Sequence, residues 1–296
     1  MTGHEASRRV VTDLLHARTG QQLSEDRRWR IESALSGLFR AHRISNVDQL
    51  ACLLAMPGAE DLSREVVDAL LNNETYFFRD RAMFDHLARK VLPDLALRRT
   101  ATRRLRIWSA GCSTGQEVYT LAMLFADQPE RWRGWRIEIV GSDVSSRAIE
   151  VARRACYSQF EIQRGLGVGQ MLTWFRETDA GWQPHPQLRA MVRFEQRNIL
   201  DPEIRIGSYD LVLCRNVLLY FDAATRAIAF ERLDRALAPE GWLMLGAGET
   251  VVGRTGIFAP VEGNQGLFQR ACERVERRAR PPAGSDRRVN SGLTVP

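Results

Sequence analysis

The sequence predicts an α/β fold with a doubly wound, mostly parallel sheet, and three observations carry that reading. The apolar run 105–108 leads into a turn holding Gly111 and Gly115, and a helical stripe follows in Val118, Leu121, Ala122, Leu124 and Phe125. A second unit of the same kind runs through Arg136–Asp143 into a helix over 147–154. A third strand, 191–196, and a fourth, Tyr209–Cys214, end in polar residues at Asn198 and at Arg215-Asn216. Strands alternating with helices make a parallel sheet, and its carboxyl edge is where such folds hold ligands.

The remaining elements frame this sheet. Residues 1–71 read as a small all-helical domain with helices over 6–17, 24–43, 47–55 and 61–71. The second has an apolar stripe of Ile31, Leu35, Leu38 and Phe39, with Arg27, Arg28, Arg30, Arg40 and Arg43 opposite. Residues 72–103 form a connector and a linking helix over 80–97, with Phe77 and Phe78 read as packing anchors. The sheet domain spans 104–271 and is interrupted at about 157–189. There, 173–176 and 182–185 flank Asp179-Ala180-Gly181 as a small antiparallel hairpin. A helix over 223–237, a strand over 241–246 and a closing pair, 257–261 with 266–270, complete the domain. Residues 272–296, with six arginines against three acids and Pro281-Pro282, read as a disordered basic tail.

The first turn narrows the ligand. It spells G-x-x-x-G rather than G-x-G-x-x-G, and no P-loop lysine follows. Glu117, early in the helix, opposes a phosphate and suits a cationic group. S-adenosylmethionine (SAM) carries an ammonium and a sulfonium and no phosphate, so it fits this turn; a plain tight strand-helix turn is the other reading. Asp143, at the tip of the second strand, can accept both hydroxyl protons of a ribose, or it or Ser145 can cap the helix that follows. Four strand ends thus bring Gly111 with Glu117, Asp143, Asn198 and Asn216 to one edge.

A family resemblance becomes specific at this point. Asn73-Glu74-Thr75-Tyr76-Phe77-Phe78-Arg79-Asp80 resembles the N-x-T-x-F-F-R segment of the chemoreceptor glutamate methyltransferases, the CheR family. W-S-A-G-C-S-T-G-Q-E, G-S-D-V-S, N-I-L and C-R-N-V-L-L-Y-F-D then follow in that family's order, over roughly 10–271. The resemblance implies a Rossmann-like methyltransferase sheet of seven strands, SAM as cofactor and S-adenosylhomocysteine (SAH) as product. It also implies a helical domain that helps recognise receptors. By the same resemblance Asn73, Thr75 and Arg79 reach SAM from the connector, and Glu117 meets its amino-acid or ribose part. Asp143 takes the ribose hydroxyls, Asn198 and Ile199 flank the adenine, the Cys214-Arg215 backbone lines the methionine arm, and Asn216 belongs to the same cofactor site. Arg79 and Tyr220 lie near the methyl group. For Arg79 the plain alternative is a salt bridge to Asp80 or Glu117; for Tyr220 it is packing beside Phe221.

Composition sets the remaining bounds. A hydrophobic share of 44% over 296 residues supports a sizeable core. No apolar run reaches the roughly 20 residues that span a membrane, and 1–9 is too polar for a signal peptide. Five scattered cysteines without a CxxC pair point away from a zinc site or disulfide framework and toward a reducing cytoplasm. Cys112 and Cys214 read as small spacers, not nucleophiles. The net charge of +6 raises nucleic acid as a partner. Against it, Lys90 is the only lysine, half of the net charge lies in the tail, and the N-P-P-Y or D-P-P-Y signature of amino-methylating enzymes is absent.

The expected chemistry is methyl transfer to a glutamate carboxylate, an anion at neutral pH that needs no general base. A monomer that recognises the cytoplasmic helices of chemoreceptors is expected. Some CheR enzymes tether an aromatic receptor-tail pentapeptide to the hairpin edge. Here the loop is short, and Pro184 and Pro186 remove backbone donors, so tether-independent recognition is expected. The rival readings are a CheR-like scaffold without activity and a SAM enzyme acting on nucleic acid or a small molecule.

Overall fold

A computed structural model describes residues 3–23, 30–203, 206–263 and 266–271. Its strands are β1 (Arg104–Ala110), β2 (Arg136–Asp143), β3 (Phe175–Thr178), β4 (Gly181–Pro184), β5 (Val192–Gln196), β6 (Tyr209–Cys214), β7 (Leu237–Leu245), β8 (Phe258–Pro260) and β9 (Leu267–Arg270). Seven of them form one sheet in the order β5-β2-β1-β6-β7-β9-β8. The first five in that order run parallel, β9 runs against β7, and β8 runs against β9. The expected doubly wound, seven-stranded sheet is therefore present. Its order reverses beside β1, which has β2 on one side and β6 on the other. In such sheets a crevice opens at that switch point, beyond the carboxyl ends of the strands.

The core explains why these sequences become strands and helices. Leu105, Ile107 and Ala110 of β1 and every residue of β6 are buried, as strands covered by helices on both faces require. Leu211, Leu213 and Met244 pack on one face with Leu121 and Phe125, while Val212, Leu243 and Leu245 pack on the other with Phe230 and Leu233. Phe77 and Phe78 belong to the first cluster and act as the expected anchors. The helix Gln116–Ala126 is buried on nearly all sides, because the connector and linking helix cover what the sheet does not.

The N-terminal helices Gly3–Thr19, Arg30–His42, Val47–Leu54 and Glu60–Leu70 bury their own cluster, including Val11, Leu15, Ile31, Leu35, Leu50 and Val66. They meet the sheet domain through polar contacts. Gln21 bridges to Phe221, the Gln22 amide donates to the Tyr220 carbonyl at 2.8 Å, and Ser146 Oγ donates to Asp68 at 2.8 Å. The expected start of the second helix, with Arg27 and Arg28, lies outside the described residues, as does the tail 272–296. Among the described residues no helix is long and apolar enough to cross a membrane.

Three local expectations change. The linking helix is not one regular helix: Arg81–His86 passes through a π-helical turn, Leu87–Val91, into Leu92–Arg98. Pro93 lacks the N–H that would bond back to the Arg89 carbonyl, and the chain widens just before it. The strand expected at 241–246 begins four residues earlier, at Leu237, with a register irregularity opposite β6, and it stops before Gly246. The hairpin is tighter than expected, joining Thr178 to Gly181 across Asp179-Ala180. Pro186 falls outside it, at the start of the helix Pro186–Arg189. The outer edge of β4 is taken by Tyr157, which exchanges backbone hydrogen bonds of 2.9 and 2.8 Å with Trp182. Any edge open to a peptide is therefore β3, which has no proline, so the prolines do not argue against strand addition.

Candidate active site

The crevice beside β1 is a cleft of about 770 Å³ counted out to its open mouth. Its floor is the turn after β1. Gly111 has φ +80, and a Cβ there would stand 2.3 Å from Val217 Cγ2, so only glycine lets this turn meet the loop after β6. The Gly111 and Cys112 amides both donate to the Ser142 carbonyl, at 2.8 and 2.9 Å, and bend the turn toward β2.

Asp143 ends β2 on the cleft wall, 8% exposed. One carboxylate oxygen accepts the Ser113 amide at 2.8 Å and the other the Ser145 amide at 2.9 Å. Ser145, not Asp143, caps the following helix, accepting from the Ala148 amide at 3.1 Å. Each Asp143 oxygen thus keeps acceptor capacity beyond its backbone bond. Burial raises the Asp143 pKa above its ordinary value, and the Ser145 and Ser113 amides partly offset this.

A buried guanidinium organises the opposite side. Arg215, with a side chain 1% exposed, donates from Nη1 to Glu117 at 2.8 Å and from Nη2 to Asp80 at 2.7 Å. Nη2 also donates to the Arg79 carbonyl at 2.8 Å. Glu117 accepts a further bond from Ser109 Oγ at 2.8 Å. The connector is pinned at two more points, where Ser113 Oγ donates to the Asn73 carbonyl at 2.7 Å and the Phe78 amide donates to Thr120 Oγ1 at 3.1 Å. These bonds hold it through the left-handed turn at Phe78 (φ 51) and Asp80 (φ 62).

Arg79 itself makes no ion pair among the described residues. Its Nη1 donates to the Glu74 carbonyl at 3.0 Å, and its Cζ lies 5.8 Å from the Tyr76 ring centre. The salt bridge considered for it, to Asp80 or Glu117, belongs to Arg215. Across the cleft, Asn72 Nδ2 donates to the Tyr220 hydroxyl at 2.9 Å.

Ten of the eleven cofactor-site residues expected from sequence line this one cleft: Asn73, Thr75, Arg79, Gly111, Glu117, Asp143, Asn198, Ile199, Arg215 and Asn216, and Tyr220 joins them. The eleventh is Cys214, whose side chain is buried in the core beside Val212 and Leu245; the expectation there concerned its backbone. Cys112 also lines the cleft. Burial pushes both thiols well above their ordinary range, so neither is a thiolate at neutral pH. Asn198 spends its side chain on backbone groups: Oδ1 accepts the Leu200 amide at 3.0 Å, and Nδ2 donates to the Arg18 carbonyl at 3.1 Å.

Sequence reasoning missed two groups. Thr19 and Gln21, at the end of the first helix, form a wall of the cleft, and no local pattern marks them. Glu249 accepts the backbone amides of Asn216, Val217, Leu219 and Gly246, and its motif G-A-G-E follows β7, a signal that a fifth strand end was also in play.

The donor set fits SAM. The cleft carries both signs, from Glu117 and Asp143 and from Arg79 and Arg215, as an amino-acid end with an ammonium and a carboxylate requires. Asp143 offers two carboxylate oxygens where a ribose diol can be held. No cluster of His, Cys, Asp and Glu able to hold a metal is found among the described residues.

Comparison with known proteins agrees with this geometry. Residues 73–267 match the family model "CheR methyltransferase, SAM binding domain". A chemotaxis protein methyltransferase of Pseudomonas putida is 33% identical over 257 residues, covering 85% of this chain and 93% of its own. One from Pseudomonas aeruginosa is 31% identical over 275 residues, covering 92% and 100%. One from Vibrio parahaemolyticus is 30% identical over 263 residues, covering 88% and 94%. On the matched domain and on these relatives, the chain belongs to the CheR methyltransferase family, and its cofactor is SAM.

Proposed function

We propose that this protein methylates glutamate side chains in the cytoplasmic helical domains of chemoreceptors, forming glutamyl methyl esters for sensory adaptation. It does so as a cytoplasmic monomer. When bound, SAM supplies an electrophilic methyl group on its sulfonium. The observation that carries the proposal is Arg79. It is a cleft-lining guanidinium without an ion pair among the described residues: Arg215 takes Asp80 and Glu117, and Glu74, the acid whose charge Arg79 also feels, pairs with Arg164.

Arg79 holds the incoming glutamate through its planar fork, which matches a carboxylate bidentately. Tyr220, oriented by Asn72, gives a hydrogen bond to the same group. Asp143 and Glu117 would hold the cofactor in the same cleft, where it would supply the methyl group. The substrate carboxylate is ionised at neutral pH and needs no base. The protein's part is therefore alignment and exclusion of water. Receptor helices reach the cleft past the N-terminal domain, whose Thr19 and Gln21 form part of its wall and whose Arg40 and Arg43 are exposed. Nucleic acid is not a substrate in this reading.

The test is incubation with methyl-labelled SAM and a receptor cytoplasmic fragment. Label released as methanol by mild base supports an ester; label that resists base, or none, rejects this function.

A further inference from the structure

Glu249 stands just past the end of β7, outside the cleft lining, and sequence reasoning gave it no role. Beyond Cys214 the sheet stops, and the amides of the next residues have no strand to pair with. Glu249 meets them. Oε2 accepts the Asn216 amide at 2.7 Å and the Gly246 amide at 2.9 Å; Oε1 accepts the Val217 amide at 3.0 Å and the Leu219 amide at 3.3 Å. It makes no ion pair among the described residues, so amide dipoles face its charge. One carboxylate therefore ties the loops after β6 and β7 together.

The held loop carries chemistry. Asn216, in the left-handed region at φ 60, and Val217 line the cleft, and the 3-10 turn Leu218–Tyr220 ends at Tyr220. Gly246 makes room for the carboxylate: a Cβ there would lie 2.8 Å from Glu249 Oε2 and 3.1 Å from the Asn216 nitrogen.

We infer that Glu249 is a positioning residue for methyl transfer, setting the loop that presents Tyr220 to the cleft. This rests on the role proposed above for Tyr220. Glu249→Gln keeps the length of the side chain but turns an NH2 group toward two of the four amide donors, either Asn216 and Gly246 or Val217 and Leu219, and so loosens the loop after β6 in both orientations. Displacing a catalytic group by an ångström costs turnover steeply, so kcat for receptor methylation should fall at least about tenfold. SAH affinity should fall by much less than kcat, because, of the cofactor-site residues, Asn216 rides on this loop while Asp143 and Glu117 lie on other elements.

Three readouts test this. First, the backbone amide proton resonances of Asn216, Val217, Leu219 and Gly246 should shift together in Glu249→Gln, with or without methylation activity. Second, Glu249→Gln added to Tyr220→Phe should cost little more than Tyr220→Phe alone, as expected of a residue that acts through Tyr220. Third, Gly246→Ala, which crowds the same carboxylate, should reproduce the loss of kcat and serves if Glu249→Gln folds poorly. Unshifted amides, kcat within about twofold of wild type, or additive losses in the double variant overturn the inference. A parallel fall of kcat and SAH affinity overturns it too, since that would mark Glu249 as part of the cofactor cradle. If the wild-type protein methylates no receptor, the proposed function fails on its own, and the amide resonances still decide whether Glu249 ties the two loops.

Discussion

Replacing Asp143 by asparagine separates its two duties. In the folded protein the carboxylate accepts the Ser113 and Ser145 amides at 2.8 and 2.9 Å. An asparagine keeps one acceptor oxygen and must turn its NH2 toward one of these amides. Leaving a buried donor unpaired costs about 1–3 kcal/mol of stability. The ribose hydroxyl assigned to the same oxygen loses a charged acceptor, worth about 1.5–3 kcal/mol, so SAH should bind roughly 10- to 150-fold more weakly. The pH dependence has a definite sign. Burial holds the Asp143 pKa above its ordinary value, so the ligand-free folded state keeps this proton longer than the unfolded chain does. The group's contribution to stability therefore favours acid and declines as pH rises between the ordinary and the raised value. Ligand binding runs the opposite way. Hydroxyl donors favour the ionised form, so wild-type SAH affinity should fall as pH drops through the same window, and Asp143→Asn should lose that slope. Calorimetric titration over a pH series measures both. Affinity within about twofold of wild type in Asp143→Asn, or an unchanged slope, would refute the assignment.

The other predictions concern turnover, the buried ion pairs and recognition. Arg79→Ala should lower kcat by about a hundredfold or more and SAH affinity far less, and Arg79→Lys should rescue little; equal losses in both would make Arg79 a cofactor ligand instead. Arg215→Leu leaves Glu117, whose side chain is 12% exposed, without its cation, and chemical denaturation should show a loss of about 3 kcal/mol. An aromatic receptor-tail pentapeptide should give no measurable heat while intact receptor is methylated; micromolar, one-to-one binding would move recognition to the β3 edge.

The strands and the glycine turn were legible because both rest on local chemistry. Apolar-rich stretches such as Tyr209–Cys214, whose one charge, Asp210, pairs with Arg99, become buried parallel strands, and a positive φ at Gly111 follows from a tight turn. What sequence could not supply is the choice of partner. Arg79 and Arg215 have the same side chain and both face Asp80 and Glu117 in the motif order, yet only Arg215 is buried deeply enough to need both acids. Successive residues at a strand end point to opposite faces, so the Cys214 side chain enters the core while Arg215 beside it lines the cleft. Asn198 and Glu249 serve backbone groups brought near by loops distant in sequence, which no spacing rule encodes.

The central claim is that the residue modified is a receptor glutamate. It is tested most directly by locating the methyl group with tandem mass spectrometry, after reaction of a receptor cytoplasmic fragment with isotopically labelled SAM. The account predicts label on glutamate side chains of the receptor helices, lost when those glutamates are replaced by alanine and nearly absent with Arg79→Ala. Label on a nitrogen atom or on nucleic acid, or no label from a protein that binds SAH normally, would contradict it.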